Sequence, residues 1–232
     1  MEDAYRYENV DGHLILLDGE SRSLIDTGAP ESAATNGEIC IGGTGYPVGS
    51  SYLNVTPELL GECIGTEIDA LIGVDILNQY DVRIDSRSST IKVCDGELPL
   101  EGQPLEHGQF MGIPILDVGV ASGGAPVRVF FDTGARLSYL EPSLARQFPA
   151  AAREQDFYPG LGRFTTQTHQ ATLTIGTERV SLVAGILPTE LTPLLEKAST
   201  SGILGTAILE THGVCYAPRR GSLSLWRLAD AG

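Results

Sequence analysis

Two aspartates stand in identical settings. The tetrapeptide Asp-Thr-Gly-Ala occurs at Asp26–Ala29 and again at Asp132–Ala135, each time after a short apolar run, Leu24-Ile25 and Val129-Phe130-Phe131. One Asp-Thr-Gly is a weak signal, but two copies extended by the same fourth residue are not coincidence. The chemistry open to such a pair is proton transfer around one water: a carboxylate takes a proton from it while a second, protonated carboxyl donates to the bond under attack. That requires Asp26 and Asp132 to meet. Two carboxyls held close share one proton, because ionising both is too costly, and neither then owns a separate pKa. Gly28 and Gly134 suit a tight turn whose amides approach the carboxylate where a Cβ would clash.

The elements that must position these turns are also duplicated. Ala70-Leu71-Ile72-Gly73-Val74-Asp75-Ile76-Leu77 answers Gly202-Ile203-Leu204-Gly205-Thr206-Ala207-Ile208-Leu209 at an offset of 132 residues. The correspondence continues without a gap: Asp81–Asp85 lies over Gly213–Ala217, and Thr90–Val93 over Ser222–Leu225. Alternating apolar residues on either side of Ser86-Arg87-Ser88 and of Pro218-Arg219-Arg220-Gly221 predict a hairpin at the C-terminal end of each half. Ile39-Cys40-Ile41-Gly42 matches Leu173-Thr174-Ile175-Gly176, and a Thr-Pro pair follows in both, Thr56-Pro57 and Thr192-Pro193. Thr as N-cap and Pro as first helical residue predict a short helix at each. Short strands, Gly-rich turns and little helix predict an all-β chain built as two related barrel-like lobes. Residues 1–97 form the first lobe, 98–108 the linker, with Pro99, Gly102, Pro104 and Gly108, and 109–232 the second lobe.

With the two DTGA turns and the two downstream apolar-Gly strands in place, the sequence resembles the aspartic peptidases over nearly its whole length. It combines the single two-lobed chain of pepsin-like enzymes with the compact lobes of retropepsins. The resemblance implies an acid-protease fold with an active-site cleft between the lobes, Asp26 and Asp132 as the catalytic pair, and hydrolysis of peptide bonds without a cofactor. It implies that Thr27 and Thr133 cross-link the two loops through their hydroxyls. Leu71-Ile72-Gly73 and Ile203-Leu204-Gly205 then run behind the loops, with glycine allowing close backbone approach. Pepstatin-type inhibitors are expected ligands. Pepsin-like enzymes often carry Ser or Thr where this chain has Ala29 and Ala135. Without that hydroxyl on the carboxylate, activity is expected to extend toward neutral pH.

The halves differ in one place. From Asp26 to Ile41 is 15 residues, whereas from Asp132 to the matching Ile175 is 43, an excess of 28. The extra segment holds a short helix expected over Leu140–Phe148 and then Phe157-Tyr158-Pro159-Gly160-Leu161-Gly162-Arg163-Phe164, aromatic residues around a turn. This predicts a hairpin flap on the second half alone, with Tyr158, Leu161 and Phe164 closing over a peptide and Gly160 and Gly162 shaping the tip. Retropepsin dimers carry two flaps and pepsin-like enzymes one on the first lobe, so the placement departs from both. The rival reading is a peptide-binding module that keeps the cleft and does not cleave.

Composition narrows the field further. In 232 residues, 42% are hydrophobic and 15 Lys+Arg face 30 Asp+Glu, a formal charge of −15. Such a chain has a core to bury, and its charge repels phosphate backbones and anionic lipid surfaces, so neither nucleic acid nor membrane is an expected partner. A peptide or protein substrate, preferably apolar around the scissile bond and not acidic, is expected instead. Met1–Tyr5 lacks the basic and apolar regions of a secretion signal, and Cys40, Cys63, Cys94 and Cys215 show no disulfide or metal spacing. A cytoplasmic address follows as an expectation. His13, His107, His169 and His212 are scattered, so no metal site is expected, and there is no GxSxG. Gly42-Gly43-Thr44-Gly45 lacks the helix and lysine of a phosphate loop and is expected to be a hairpin turn. Both aspartates lie in one chain, so a monomer suffices. Only 25 residues precede Asp26, and they are needed for a first strand, so no long pro-segment is expected.

Overall fold

The computed structural model describes residues 2–120 and 125–229. Each half opens on antiparallel strands joined by a two-residue turn. In the first half Glu2–Val10 pairs with His13–Asp18, and that strand with Ser21–Ile25. In the second, Gly108–Phe110 pairs with Ile113–Val120, and that strand with Val127–Phe131. The turns are Asp11-Gly12 and Met111-Gly112, with φ of 48°, 85°, 52° and 83°. Two successive positive φ values match the twist of the flanking strands, and glycine adopts them without a Cβ penalty.

The last strand of each set ends at a DTGA turn and lies parallel to a three-residue apolar strand. Ser23-Leu24-Ile25 runs beside Ala70-Leu71-Ile72, and Phe130-Phe131 beside Ile203-Leu204. Such parallel pairing demands a long crossover, which the intervening hairpins and helix supply. The helix Pro57–Ile64 starts as expected: Thr56 is extended, at φ −108° and ψ 157°, and its hydroxyl accepts the Leu59 N–H. The helix Thr192–Ala198 departs from expectation, because Thr192 is its first residue and not its cap. A 3-10 turn over Thr189–Leu191 runs directly into it, which gives Thr192 helical angles and removes the extended conformation an N-cap needs. The helix expected over Leu140–Phe148 is a single turn, Pro142–Ala145.

The C-terminal hairpins, Asp81–Asp85 with Thr90–Cys94 and His212–Ala217 with Ser222–Arg227, pair with each other. Val82 lies opposite Tyr216, Arg83 opposite Cys215 and Ile84 opposite Val214. Arg83 and Cys215 are equivalent positions of the repeat, so the pseudo-twofold axis relating the halves passes between them. A ten-stranded sheet results, shared by both halves, and an eight-stranded sheet belongs to the second half. Within residues 98–108, Gln103–Glu106 is a strand that extends the shared sheet by pairing with Ser222–Leu225. Leu98 is buried against Cys94 and Cys215. The Gly42-Gly43 segment turns the hairpin of Glu38–Ile41 with Thr44–Pro47.

One apolar core runs through both halves and includes Leu16, Ile72 and Ile84 together with Phe131, Leu204 and Tyr216. Burying each such side chain contributes roughly 1.5–3 kcal/mol. At the start of its strand in the shared sheet Asp81, fully buried, pairs with Arg219 and Arg220 and accepts the Leu98 N–H. No helix among the described residues is long and apolar enough to cross a membrane. The molecule is thus all-β and two-lobed, with the DTGA turns on either side of its axis.

Candidate active site

Each DTGA turn hangs from the strand behind it. The Asp26 N–H donates to Ile72 O and the Asp132 N–H to Leu204 O, both at 3.0 Å. Val74 N–H and Thr206 N–H then donate back to Ala29 O and Ala135 O at 2.8 and 2.9 Å. Gly73 and Gly205 are required between these bonds: a Cβ would lie 2.6 Å from Ala29 O at the first and 2.5 Å from Ala135 O at the second. Leu71, Ile72 and Leu204 are buried and Ile203 is half-buried, so the supporting strands are pinned by the core.

The threonines bind the two turns to one another. Thr27 N–H donates to Thr133 Oγ1 and Thr133 N–H to Thr27 Oγ1, both at 3.0 Å. Each hydroxyl donates onward to the opposite strand, Thr27 to Phe131 O at 2.8 Å and Thr133 to Ile25 O at 2.9 Å. Both threonines are buried, so all four bonds form away from water and fix the separation of the halves.

Above this lattice the two carboxyls meet. Gly28 N–H donates to Asp26 Oδ1 at 2.8 Å and Gly134 N–H to Asp132 Oδ1 at 2.9 Å. A Cβ on Gly28 would overlap the Asp132 carboxyl, and one on Gly134 the Asp26 carboxyl. Burial, then the charge of Asp132, holds the Asp26 carboxyl well above the usual range; burial likewise raises Asp132. The turn amides oppose both shifts. Ala29 and Ala135 contribute only backbone N–H groups here, with no side-chain hydroxyl.

Two serines escaped the sequence reading. Ser32 Oγ accepts the Gly73 N–H at 2.9 Å and Ser138 Oγ the Gly205 N–H at 3.1 Å. Each lies six residues past its aspartate, so extending the DTGA repeat by three positions finds them. Beyond them symmetry stops: Ser32 also donates to Asp75 Oδ1 at 2.5 Å, while the matching position holds Ala207.

The segment of excess length is a hairpin, Ala150–Tyr158 with Gly162–Ile175. At its tip Leu161 N–H donates to Tyr158 O at 2.9 Å, and Gly162 takes φ 81°. A Cβ on Gly160 would lie 3.3 Å from Tyr158 Cε1, so a larger residue here would crowd the ring. Tyr158 is 39% exposed, and its phenol is raised first by burial and then by the charges of Asp132 and Asp26, which places the ring within electrostatic reach of the pair. Leu161 is half-buried at the tip, whereas Phe164 packs on Tyr139 with centroids 6.1 Å apart, against the second lobe's own core. The hairpin also touches the first lobe. Phe157 stacks on His13 at 5.6 Å, and Arg163 donates at 2.9 Å to Cys63 O, at the C-terminal end of the helix Pro57–Ile64. That helix has no basic residue in its own last turn, so Arg163 supplies the favourable charge from outside.

No protein-family model matches the sequence, and no curated protein matches it. Among solved structures it is similar to an aspartic proteinase from Irpex lacteus, with a TM-score of 0.53 and 12% identity over 99% of this chain and 98% of that one. At that identity the likeness bears on the fold alone. Together with the two lobes and their sheets, it shows that this chain has the all-β fold of an aspartic proteinase.

Proposed function

We propose that this protein is an aspartic endopeptidase in which Asp26 and Asp132 activate one water between them. The observation that carries the reading is the crossed geometry of the pair. Each carboxyl accepts an amide from its own turn while lying against the glycine of the other. Two buried acids in that relation hold a single proton at working pH. The ionised partner takes a proton from water as its oxygen attacks the peptide carbonyl carbon, and the protonated partner donates to the carbonyl oxygen. As the resulting gem-diol collapses and the C–N bond breaks, the protonated aspartate gives its proton to the leaving amine and the ionised one takes a proton from a gem-diol hydroxyl, so the pair again holds one shared proton. Such acid-base transfer contributes roughly 10²–10⁴-fold.

Tyr158 and Leu161 form the lid that excludes water from a bound peptide, with Phe164 as its anchor in the second lobe. The apolar and aromatic lid favours substrates with hydrophobic side chains about the scissile bond. The missing side-chain hydroxyls at Ala29 and Ala135 leave the pair with elevated apparent pKa values, so activity reaches toward neutral pH, in keeping with a cytoplasmic setting and a monomer.

Digestion of an unbiased peptide mixture between about pH 3 and pH 8, read by mass spectrometry, tests this. Wild type is expected to cleave with a bell-shaped pH dependence, and Asp26→Asn and Asp132→Asn both to be inactive. A folded wild type that binds peptides without cleaving them at any pH overturns the reading in favour of a binding module.

A further inference from the structure

The residue after each tetrapeptide differs, Pro30 in the first half and Arg136 in the second, and the second half alone carries the long hairpin. The Arg136 side chain is only 19% exposed. Its Nη2 donates to Gln155 O at 2.5 Å and its Nη1 to Glu154 Oε2 at 3.3 Å, while Nε lies 3.8 Å from Asp156 Oδ1 and 3.9 Å from Asp11 Oδ2. One guanidinium thus gathers three carboxylates and a carbonyl.

These partners come from two places. Glu154, Gln155 and Asp156 belong to the hairpin strand Ala150–Tyr158, just before the tip tyrosine. Asp156 is itself fixed, accepting the Tyr139 hydroxyl at 2.5 Å and the Phe157 N–H at 2.9 Å. Asp11 belongs to the first lobe's turn, and the next residue packs so tightly that a Cβ on Gly12 would overlap the Arg136 stem. Gly12 O accepts the Thr206 hydroxyl at 2.6 Å, directly behind the second DTGA turn.

We propose that Arg136 is a positioning residue that braces the base of the lid against the second catalytic turn and the first lobe, so that closure over the aspartates is set by the side chain next to Asp132's own turn. This rests on the endopeptidase reading. A lysine cannot take its place, because a single ammonium point cannot fork between a carbonyl and several carboxylates. Loss of the brace lowers the closed fraction of bound complexes, so kcat falls while KM changes little.

The test compares Arg136→Gln, Arg136→Lys, Glu154→Gln and the Arg136→Gln/Glu154→Gln pair by steady-state kinetics and amide hydrogen exchange. Arg136→Gln is expected to lower kcat about 10- to 100-fold, with Arg136→Lys recovering only part of the loss. The double variant is expected to be no worse than Arg136→Gln alone, the sign of one shared device. Amides 154–158 should exchange faster in the variant while Asp81–Cys94 stays protected. Unchanged kcat with unchanged exchange at 154–158 overturns the brace, as does a uniform loss of protection across the molecule. Should Arg136→Gln fail to fold, Glu154→Gln carries the same comparison. A wild type that cleaves nothing defeats the endopeptidase reading, and exchange at 154–158 still decides the brace.

Discussion

Gly28 and Asp132 come from opposite halves of the chain, yet a single Cβ on Gly28 would occupy the space of the Asp132 carboxyl. Gly134 stands in the same relation to Asp26. Glycine here serves close approach across the axis, since neither residue has positive φ. Gly28→Ala is therefore expected to force the carboxyls apart and abolish turnover, and Gly134→Ala to do the same from the other side. Overpacking of this kind costs about 1–3 kcal/mol, so both variants should melt lower than wild type. Peptide hydrolysis near the wild-type rate by either variant would remove the crossed geometry from the mechanism.

Burial of the acid pair also has a sign in stability. Burial holds the titration of the coupled pair above the usual carboxylate range, about 4, that describes the unfolded chain. As pH rises through that value the unfolded chain releases its protons first, so the folded state loses stability from about pH 4 upward until the folded pair itself ionises. Asp26→Asn removes one ionisable group and keeps an oxygen to accept the Gly28 N–H. The variant should be more stable than wild type at pH 7, with the difference shrinking as pH falls toward 4 and below. Thermal melts across that range check it, and a margin that grows on acidification contradicts the assignment.

The parts legible in the sequence are those that leave a repeated local mark. DTGA twice, the Leu71–Gly73 and Ile203–Gly205 runs, and the gapless hairpins fix which segments correspond, and correspondence implies an axis. Thr56-Pro57 forecasts its helix because the cap is a local device, whereas Thr192-Pro193 carries the same letters with a 3-10 turn in front that changes the role of the threonine. Residues 98–108 hide the strand Gln103–Glu106 because Pro and Gly signal a loop, yet an edge strand tolerates both. The contact of Arg136 with Asp11, and that of Phe157 with His13, join segments more than 100 residues apart without any periodicity to announce them.

The broken symmetry at Ser32 yields a comparison within one molecule. Ser32→Ala strips an acceptor from the Gly73 N–H and a donor from Asp75, whereas Ser138→Ala strips only the acceptor from the Gly205 N–H and leaves no carboxylate behind. A buried amide left unsatisfied costs about 1–3 kcal/mol in either variant, and Ser32→Ala adds the smaller loss of one hydrogen bond to Asp75, which is exposed and keeps the Ser32 and Ile76 N–H groups. Ser32→Ala should therefore be the more destabilising of the two by denaturant unfolding. Equal losses would show that the Ser32–Asp75 link adds nothing.

The proposed lid offers the sharpest separation of activity from stability. Its tip, Tyr158–Leu161, is held by the turn hydrogen bond from Leu161 N–H to Tyr158 O, while the base is secured by Phe164 on Tyr139 and by Phe157 on His13. Removing residues 158–163 gives up little core but also takes Arg163 from Cys63 O, so it should lower the melting temperature slightly and abolish turnover. On the proposed function Tyr158→Ala should act in the same direction, with a loss of about 10-fold or more in kcat/KM, because the proposed lid then loses its aromatic ring. Tyr158→Phe isolates the hydroxyl: its raised pKa keeps the phenol neutral throughout the working range, so any effect of its removal should be independent of pH. A lidless enzyme that cleaves peptides at the wild-type rate would show that this hairpin covers no part of the reaction.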